Sequence, residues 1–265
     1  MKYLLLLFLI CFFTTDLLAQ GDAPNAMDAS GKKHGAWLVE YPEIGVTRYQ
    51  GQFEHGVPVG TFFYYYESGE KSSEVTHLSG GKSLAKFFHK NGALMGEGEY
   101  LDQQKHGLWK FYDNQAILSS EEPYEHGKID GVMKIYHLNG QLAAEIPYVD
   151  GLKNGPFKEY NTDGKVRVNG TYKDNTFDGA YEQFYDTGKK YITGTYASAV
   201  KQGNWIEYDE DGRIIVQQLY DKGKLIKEKI EPGYEKQEIK IDPDPKDIIP
   251  EEKLLEDFYK YGAPR

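Results

Sequence analysis

Eight segments anchored on a small residue recur along this chain, at Gly35, Gly60, Ser83, Gly107, Gly131, Gly155, Gly179 and Gly203. The steps between them are 25, 23, 24, 24, 24, 24 and 24 residues. Self-similarity at a fixed period in this range marks a repeat array, in which each unit buries its apolar face only by stacking on its neighbours. Function in such a chain belongs to an extended surface rather than to a central cavity.

Residues 155–178, GPFKEYNTDGKVRVNGTYKDNTFD, serve as the template unit. An aromatic follows the anchor at the second position (Phe157) and another at the fifth (Tyr160), and nine residues after the anchor comes a turn glycine, Gly164. Its equivalents are Gly69, Gly92, Ala116, Gly140, Gly188 and Gly212, mostly in Asn-Gly, Asp-Gly or Ser-Gly pairs that supply the positive backbone angle of a tight hairpin. A second run climbs to Tyr172, matched by Phe53, His77, Tyr100, Tyr124, Tyr148, Tyr196 and Tyr220. A return turn follows three residues on, at Gly56, Gly80, Gln103, Gly127, Gly151, Asn175, Ala199 or Gly223.

Helix is disfavoured by this punctuation, since each glycine costs about 1 kcal/mol relative to alanine in a helix interior. Period-2 alternation fits instead: Leu142, Ala144 and Ile146 share a face with Tyr148. The expected fold is all-β, an elongated single-layer antiparallel sheet of about eight consecutive 24-residue hairpins.

A shallow sheet has little interior, so flat rings of roughly 150–250 Å² are an efficient way to bury area. The first-run series Trp37, Phe62, Ala85, Trp109, Met133, Phe157, Tyr181 and Trp205 predicts one rung per unit, with rungs roughly 9–10 Å apart. Gly51, Gly98, Gly170 and Gly194, each two residues before a second-run aromatic, leave room for these rings. The first-run aromatics are three positions apart, so either a bulge turns one of them or both faces carry rings.

At the level of these residues the chain resembles the MORN repeat, and especially its bacterial variant. GLWKFY (107–112), GPFKEY (155–160) and GNWIEY (203–208) carry the first half of the unit, and YEHG (124–127), YVDG (148–151) and YDKG (220–223) the second. The match covers roughly residues 31–226, with Gly31-Lys32-Lys33 similar to the tail of a truncated first unit. The unit anchored at Ser83 departs most, with Ala85 in place of an aromatic and His77 before it. The resemblance implies either an antitoxin, as which bacterial relatives are often catalogued, or a scaffold or membrane-associated protein.

The ends read differently. One lysine, an apolar run from Tyr3 to Phe13, a polar break and Ala19 form a secretory signal pattern at 1–19, too short to span a bilayer. Lipidation of Cys11 is the alternative, opposed by the bulky Ile10 before it. Cys11 is the only cysteine, so a processed chain carries no thiol nucleophile, no disulfide and no cysteine zinc site. The localisation expected is export to the periplasm, outer surface or exterior of a bacterium. Residues 20–34 form an N-terminal segment with the truncated first unit, and 35–226 the array. Residues 227–250, with Pro232, Pro243, Pro245 and Pro250, read as an acidic linker. Residues 251–265 predict a short C-terminal helix or tail that either caps the last sheet edge or docks a partner.

No catalytic constellation stands out. His34, His55, His106 and His126 each precede a turn glycine, and His89 and His137 lie two units apart, roughly 19 Å by strand spacing, so they cannot share a metal. The glycines arrive singly, so no phosphate loop is expected, and neither is a cofactor, a metal or an enzymatic activity. A net charge of −10 repels nucleic acid and anionic lipid and steers basic partners. The expected function is a non-enzymatic exported scaffold that binds a protein or a glycan, with an antitoxin or immunity protein that neutralises a basic toxin as the alternative. The candidate binding patch is Phe63 with Tyr41 and Tyr66. Other units mostly carry lysine or glutamate at the position of Phe63, which marks a solvent face.

Overall fold

The computed structural model describes residues 24–234. The leader expected at 1–19, the helix expected at 251–265 and most of the segment 227–250 lie outside the described residues.

Among the described residues every regular element is a strand. The first four units supply β1 (Gly35–Glu40), β2 (Thr47–Glu54), β3 (Val57–Tyr65), β4 (Lys71–His77), β5 (Lys82–Phe88), β6 (Leu94–Leu101), β7 (Gln104–Tyr112) and β8 (Leu118–Glu125). In the next three units the first strand is split, giving β9 (Lys128–Ile129), β10 (Gly131–Tyr136), β11 (Leu142–Val149), β12 (Leu152–Lys153), β13 (Gly155–Tyr160), β14 (Val166–Lys173), β15 (Thr176–Phe177), β16 (Gly179–Phe184) and β17 (Lys190–Ala197). The last unit adds β18 (Val200–Tyr208) and β19 (Ile214–Asp221), and β20 (Lys224–Ile230) follows. Among the described residues the long strands pair antiparallel in chain order. The short β9, β12 and β15 pair only with β8, β11 and β14, and β10, β13 and β16 pair with those same strands, so the 20 strands form one open meander, as the turn spacing predicts.

Two kinds of turn alternate. At the return turns both central residues have positive φ, as in His55-Gly56 (47° and 86°) and Asp174-Asn175 (49° and 68°), the type I′ geometry whose twist matches paired strands. At the hairpin turns a single residue is left-handed and closes a bulge: Gly164 N–H donates to Asn161 O at 2.9 Å, and Asn161 N–H donates to Lys165 O at 2.9 Å. Ala116 occupies this left-handed position at φ 61° without the freedom of glycine.

The second-position rings of the first runs lie on one face. Phe62, Trp109, Phe157, Tyr181 and Trp205 are buried there, and Trp109 is completely covered. The glycines predicted to make room for rings do so: a Cβ on Gly51, Gly98, Gly170 or Gly194 would come within 2.2–2.5 Å of Phe62, Trp109, Phe157 or Trp205. At Gly98 the register jumps, so that Glu97 faces Lys110 and Glu99 faces His106 while Gly107-Leu108-Trp109 bow out opposite the single glycine. Gly51 and Gly194 sit at the same kind of bulge. The indole of Trp109 donates to Glu99 O at 3.0 Å and that of Trp205 to Thr195 O at 3.2 Å, so ring and bulge satisfy each other. The second-run aromatic of the preceding unit meets each ring edge-on: Phe53 on Phe62 at 5.1 Å, Tyr100 on Trp109 at 4.9 Å, and Tyr196 on Trp205 at 4.9 Å.

Ser83 tests the rule by exception. With no glycine at the anchor, β4 and β5 pair without a register shift, and Ala85 stands where a ring would be. The buried side chains fall into three clusters, bridged by Val75 next to this unit and by Ile129 farther along, instead of one unbroken series. Lys33, Lys105, Lys153 and Lys201, two residues before their anchors, lay their ammonium groups over rings at 4.5 Å (Trp37), 4.6 Å (Tyr124), 5.3 Å (Tyr172) and 4.3 Å (Trp205).

Two substitutions separate these constraints. Gly98→Ala forces a methyl into the Trp109 ring and is expected to lower unfolding free energy by roughly 2–3 kcal/mol. Ala116→Gly relieves the left-handed alanine and is expected to raise it by about 0.5–1 kcal/mol. Urea denaturation of the two variants beside the parent chain measures both.

Candidate binding surface

Opposite the rings runs a second regular series. The third residue after each anchor faces away from the buried ring, and the register links it to second-run residues on the neighbouring strands. Glu74, Lys86, Glu97, Lys110, Glu121, Lys134, Glu145 and Lys158 follow one another on β4, β5, β6, β7, β8, β10, β11 and β13 as direct cross-strand neighbours. Charges thus alternate over eight adjacent positions, the arrangement that favours every cross-strand pair. Lys110 Nζ lies 3.4 Å from Glu121 Oε1, and Lys86 Nζ lies 3.9 Å from Glu97 Oε2.

The first-run aromatic five residues after the anchor stands on this same face. Tyr112, Tyr136 and Tyr160 donate their hydroxyls to Glu97 (3.0 Å), Glu121 (2.9 Å) and Glu145 (2.9 Å). Both options raised by the three-residue spacing hold: a bulge separates the fourth and fifth positions in each first strand, as between Phe111 and Tyr112, and both faces carry rings. Burial first, and then the bonded glutamate, push Tyr112 and Tyr136 up to about 12, and the same causes raise Tyr160. These tyrosines remain partly exposed, so the face offers a strip of rings, ammonium groups and carboxylates in fixed register.

Phe63 belongs to this strip. It occupies the lysine position between Gln50 and Glu74 and is half-buried. Tyr41 and Tyr66 are elsewhere, at the hairpin-turn edge. Tyr66 is only 7% exposed; its hydroxyl donates to Phe88 O at 2.8 Å and its ring lies under Lys90 Nζ at 5.6 Å. Tyr41 donates to Tyr65 O at 2.8 Å. Their neighbours on the polar face are Tyr65, which receives a bond from Gln50 Nε2 at 3.1 Å, and Phe88, under Lys71 Nζ at 4.6 Å. Sequence reading missed the fifth-position series as a surface, although its signal was the aromatic three residues after each core ring.

Tyr41 and Tyr66 follow a rule of the turn edge. The sixth residue after the anchor reaches the next unit when it carries a ring: His89 Nε2 bonds Tyr112 O (3.2 Å), His137 Nε2 bonds Tyr160 O (2.9 Å) and Tyr185 bonds Tyr208 O (2.7 Å). Where it is Asp113, Asn161 or Asp209, the side chain caps its own turn instead. The two histidines are thereby held as Nε2–H donors to carbonyls. A cleft of about 400 Å³ opens at this edge between Ile44, Tyr66, Glu67, Ser68 and Lys90. Among the described residues no group of three or more His, Cys, Asp or Glu is placed to hold a metal ion.

Comparison with known proteins adds the following. The family model described as MORN repeat variant matches residues 129–150, 153–174 and 201–222. No curated protein matches the chain. Among solved structures, one titled "Crystal Structure of TcdB2-TccC3-Cdc42" is similar at 12% identity with a TM-score of 0.18, over 73% of this chain; the match spans 14% of that chain.

The raised tyrosines set a pH dependence. A hydroxyl whose folded pKa exceeds its unfolded value of 10.0 contributes stability that is complete below pH 10 and is lost as pH rises toward 12. Urea midpoints are therefore expected to fall steeply above pH 10, in step with tyrosinate absorbance. Tyr112→Phe and Tyr136→Phe together are expected to flatten that fall.

Proposed function

On the premise of MORN-variant repeats between residues 129 and 222, we propose that the chain is a non-enzymatic scaffold that binds another protein along its polar face. The observation that carries this reading is the eight-position row of alternating charge with tyrosines bonded into it. That row is ordered by the backbone register and turned away from the packed rings. Such a strip presents hydrogen-bonding and aromatic groups at the strand spacing, which suits a partner with its own extended, charge-alternating surface. A glycan stacking on Tyr112, Tyr136 and Tyr160 is the other ligand that the same strip accommodates. The leader pattern at 1–19 supports an exported protein of a bacterial envelope.

A second reading is an antitoxin or immunity protein, favoured by the net charge of −10, which steers association with a basic toxin.

The test is affinity capture by the tagged full chain from an envelope fraction, followed by mass spectrometry. Lys110→Glu combined with Lys134→Glu breaks the alternation at two adjacent rungs. It is expected to lose captured protein at least tenfold while lowering stability by only about 1–2 kcal/mol. Phe63→Lys completes the row beside Glu74 and is expected to weaken capture if the ring makes contact. Unchanged capture by both variants overturns the polar face as the binding surface. A single stoichiometric basic protein in the eluate favours the antitoxin reading.

A further inference from the structure

The two ends of the sheet are finished differently. At the N-terminal end the outer edge of β1 is covered by residues 25–28: Asn25 N–H donates to Ala36 O at 2.8 Å, Leu38 N–H to Asn25 Oδ1 at 2.9 Å, and Met27 bridges Lys33. Asp28 locks that cap by accepting from the backbone of Ser30 (2.8 Å) and Lys32 (2.9 Å), with His55 Nδ1 at 2.7 Å. At the other end β20 pairs with β19 alone, and all seven of its residues are exposed. Among the described residues nothing pairs with its outer edge.

We propose that the outer edge of β20 is a docking edge for an extended acidic segment of a partner protein, which adds as a further antiparallel strand. This deepens the scaffold reading and rests on it, by naming a partner class and a second place of contact.

An unpaired edge supplies a row of main-chain donors and acceptors that any strand could use, so selection must come from side chains. The strand reads KLIKEKI, three lysines against one glutamate in a chain of net charge −10. Lys227 and Lys229 stand beside Leu219 and Gln217 on the polar face, so Lys229 is the last rung of the cross-strand row. Inside the sheet, Lys86, Lys110 and Lys134 each sit between two glutamates. Lys229 has Gln217 on one side and, among the described residues, no strand on the other, and its ammonium pairs with Glu231 just past the end of β20. Lys224 and Lys227 have no ion-pair partner among the described residues. An acidic residue on an added strand continues the alternation that the interior rows already use. A second copy of β20 would set lysine-rich strands against each other, which cross-strand pairing disfavours. The opposite face of the same strand ends in exposed Ile230 beside buried Val216, so the matching positions of the incoming segment are apolar and β-branched.

The experiment titrates the full chain with a fluorescent peptide of about seven residues alternating Glu and Val, at low and high salt. Saturable binding is expected, with amide hydrogen exchange slowed at residues 224–230 and binding weakened by salt. Lys227→Glu with Lys229→Glu is expected to weaken the Glu/Val peptide at least tenfold and to create binding of a Lys/Val peptide. Methylating alternate backbone nitrogens of the Glu/Val peptide is expected to abolish binding, because strand addition needs those donors. The proposal is overturned by equal binding of the methylated peptide, by the absence of saturable binding, by amides of β20 already protected in the free chain, or by self-association through β20 in sedimentation. If the Lys227→Glu/Lys229→Glu chain still captures its envelope partner while the parent binds no acidic peptide, the edge proposal fails and the scaffold reading stands.

Discussion

An aromatic ring cannot lie flat on a strand that carries a side chain beneath it, and this steric fact organises the array. Each large first-run ring needs a glycine under it or a split in the strand that carries it. At Gly51, Gly98 and Gly194 the ring-bearing strand bows out as a bulge, and its anchor glycine takes φ 68°. At the split junctions Gly131, Gly155 and Gly179 take φ 115–119°, close against Pro123, Pro147 and Thr171. An L side chain is disfavoured in both conformations, which is why the anchor is glycine wherever a bulge or a split is made. Ser83 shows the converse: no ring, no bulge and an even register.

That missing ring leaves a mark. Next to the interruption at Ala85 polar groups are buried: Ser73 is covered, and among the described residues the hydroxyls of Ser72 and Ser73 and Nε2 of His77 find no hydrogen-bond partner. Burial pushes the His77 imidazole down, so it stays neutral, with its ring edge-on to Phe62 at 5.2 Å. Each unsatisfied buried group costs about 1–3 kcal/mol, and in a quasi-one-dimensional array such a cost is borne locally. The third unit is therefore the weak seam of the N-terminal half of the sheet, dividing the small cluster around Phe62 from the one around Trp109.

The repeat architecture was legible because turn chemistry is local: Gly164 and its equivalents announce hairpins whatever packs around them. Ring-on-glycine packing was legible too, since Gly98 and Trp109 stand at fixed offsets in adjacent units. The face of Tyr112 was not, because a bulge after Phe111 changes the parity on which alternation depends. Nor was the charged row, whose members lie on neighbouring strands and become adjacent only once the register is known. Tyr66 misled for a related reason. Five successive aromatics from Phe62 to Tyr66 imply exposed rings, but Tyr66 falls on the turn, where its ring is covered and its hydroxyl spent on Phe88 O.

A row that alternates perfectly is almost neutral beyond a few ångströms, because each lysine is cancelled by the glutamates on either side and salt screens what is left. In the proposed scaffold role the row would therefore fix the register of a contact at short range and do little to attract a partner from a distance. Identical rungs also cannot tell one alignment of a partner from another shifted by one unit. Selectivity in that role would have to arise where the pattern breaks: at Phe63 at one end, and at Asn169, Glu182, Thr193 and Ile206 beyond Lys158 at the other. The ring face has no such freedom, since every irregularity there is a defect in packing. One sheet thus keeps its stability on the face where regularity is enforced, and under the proposed scaffold role its specificity belongs to the face where irregularity is tolerated.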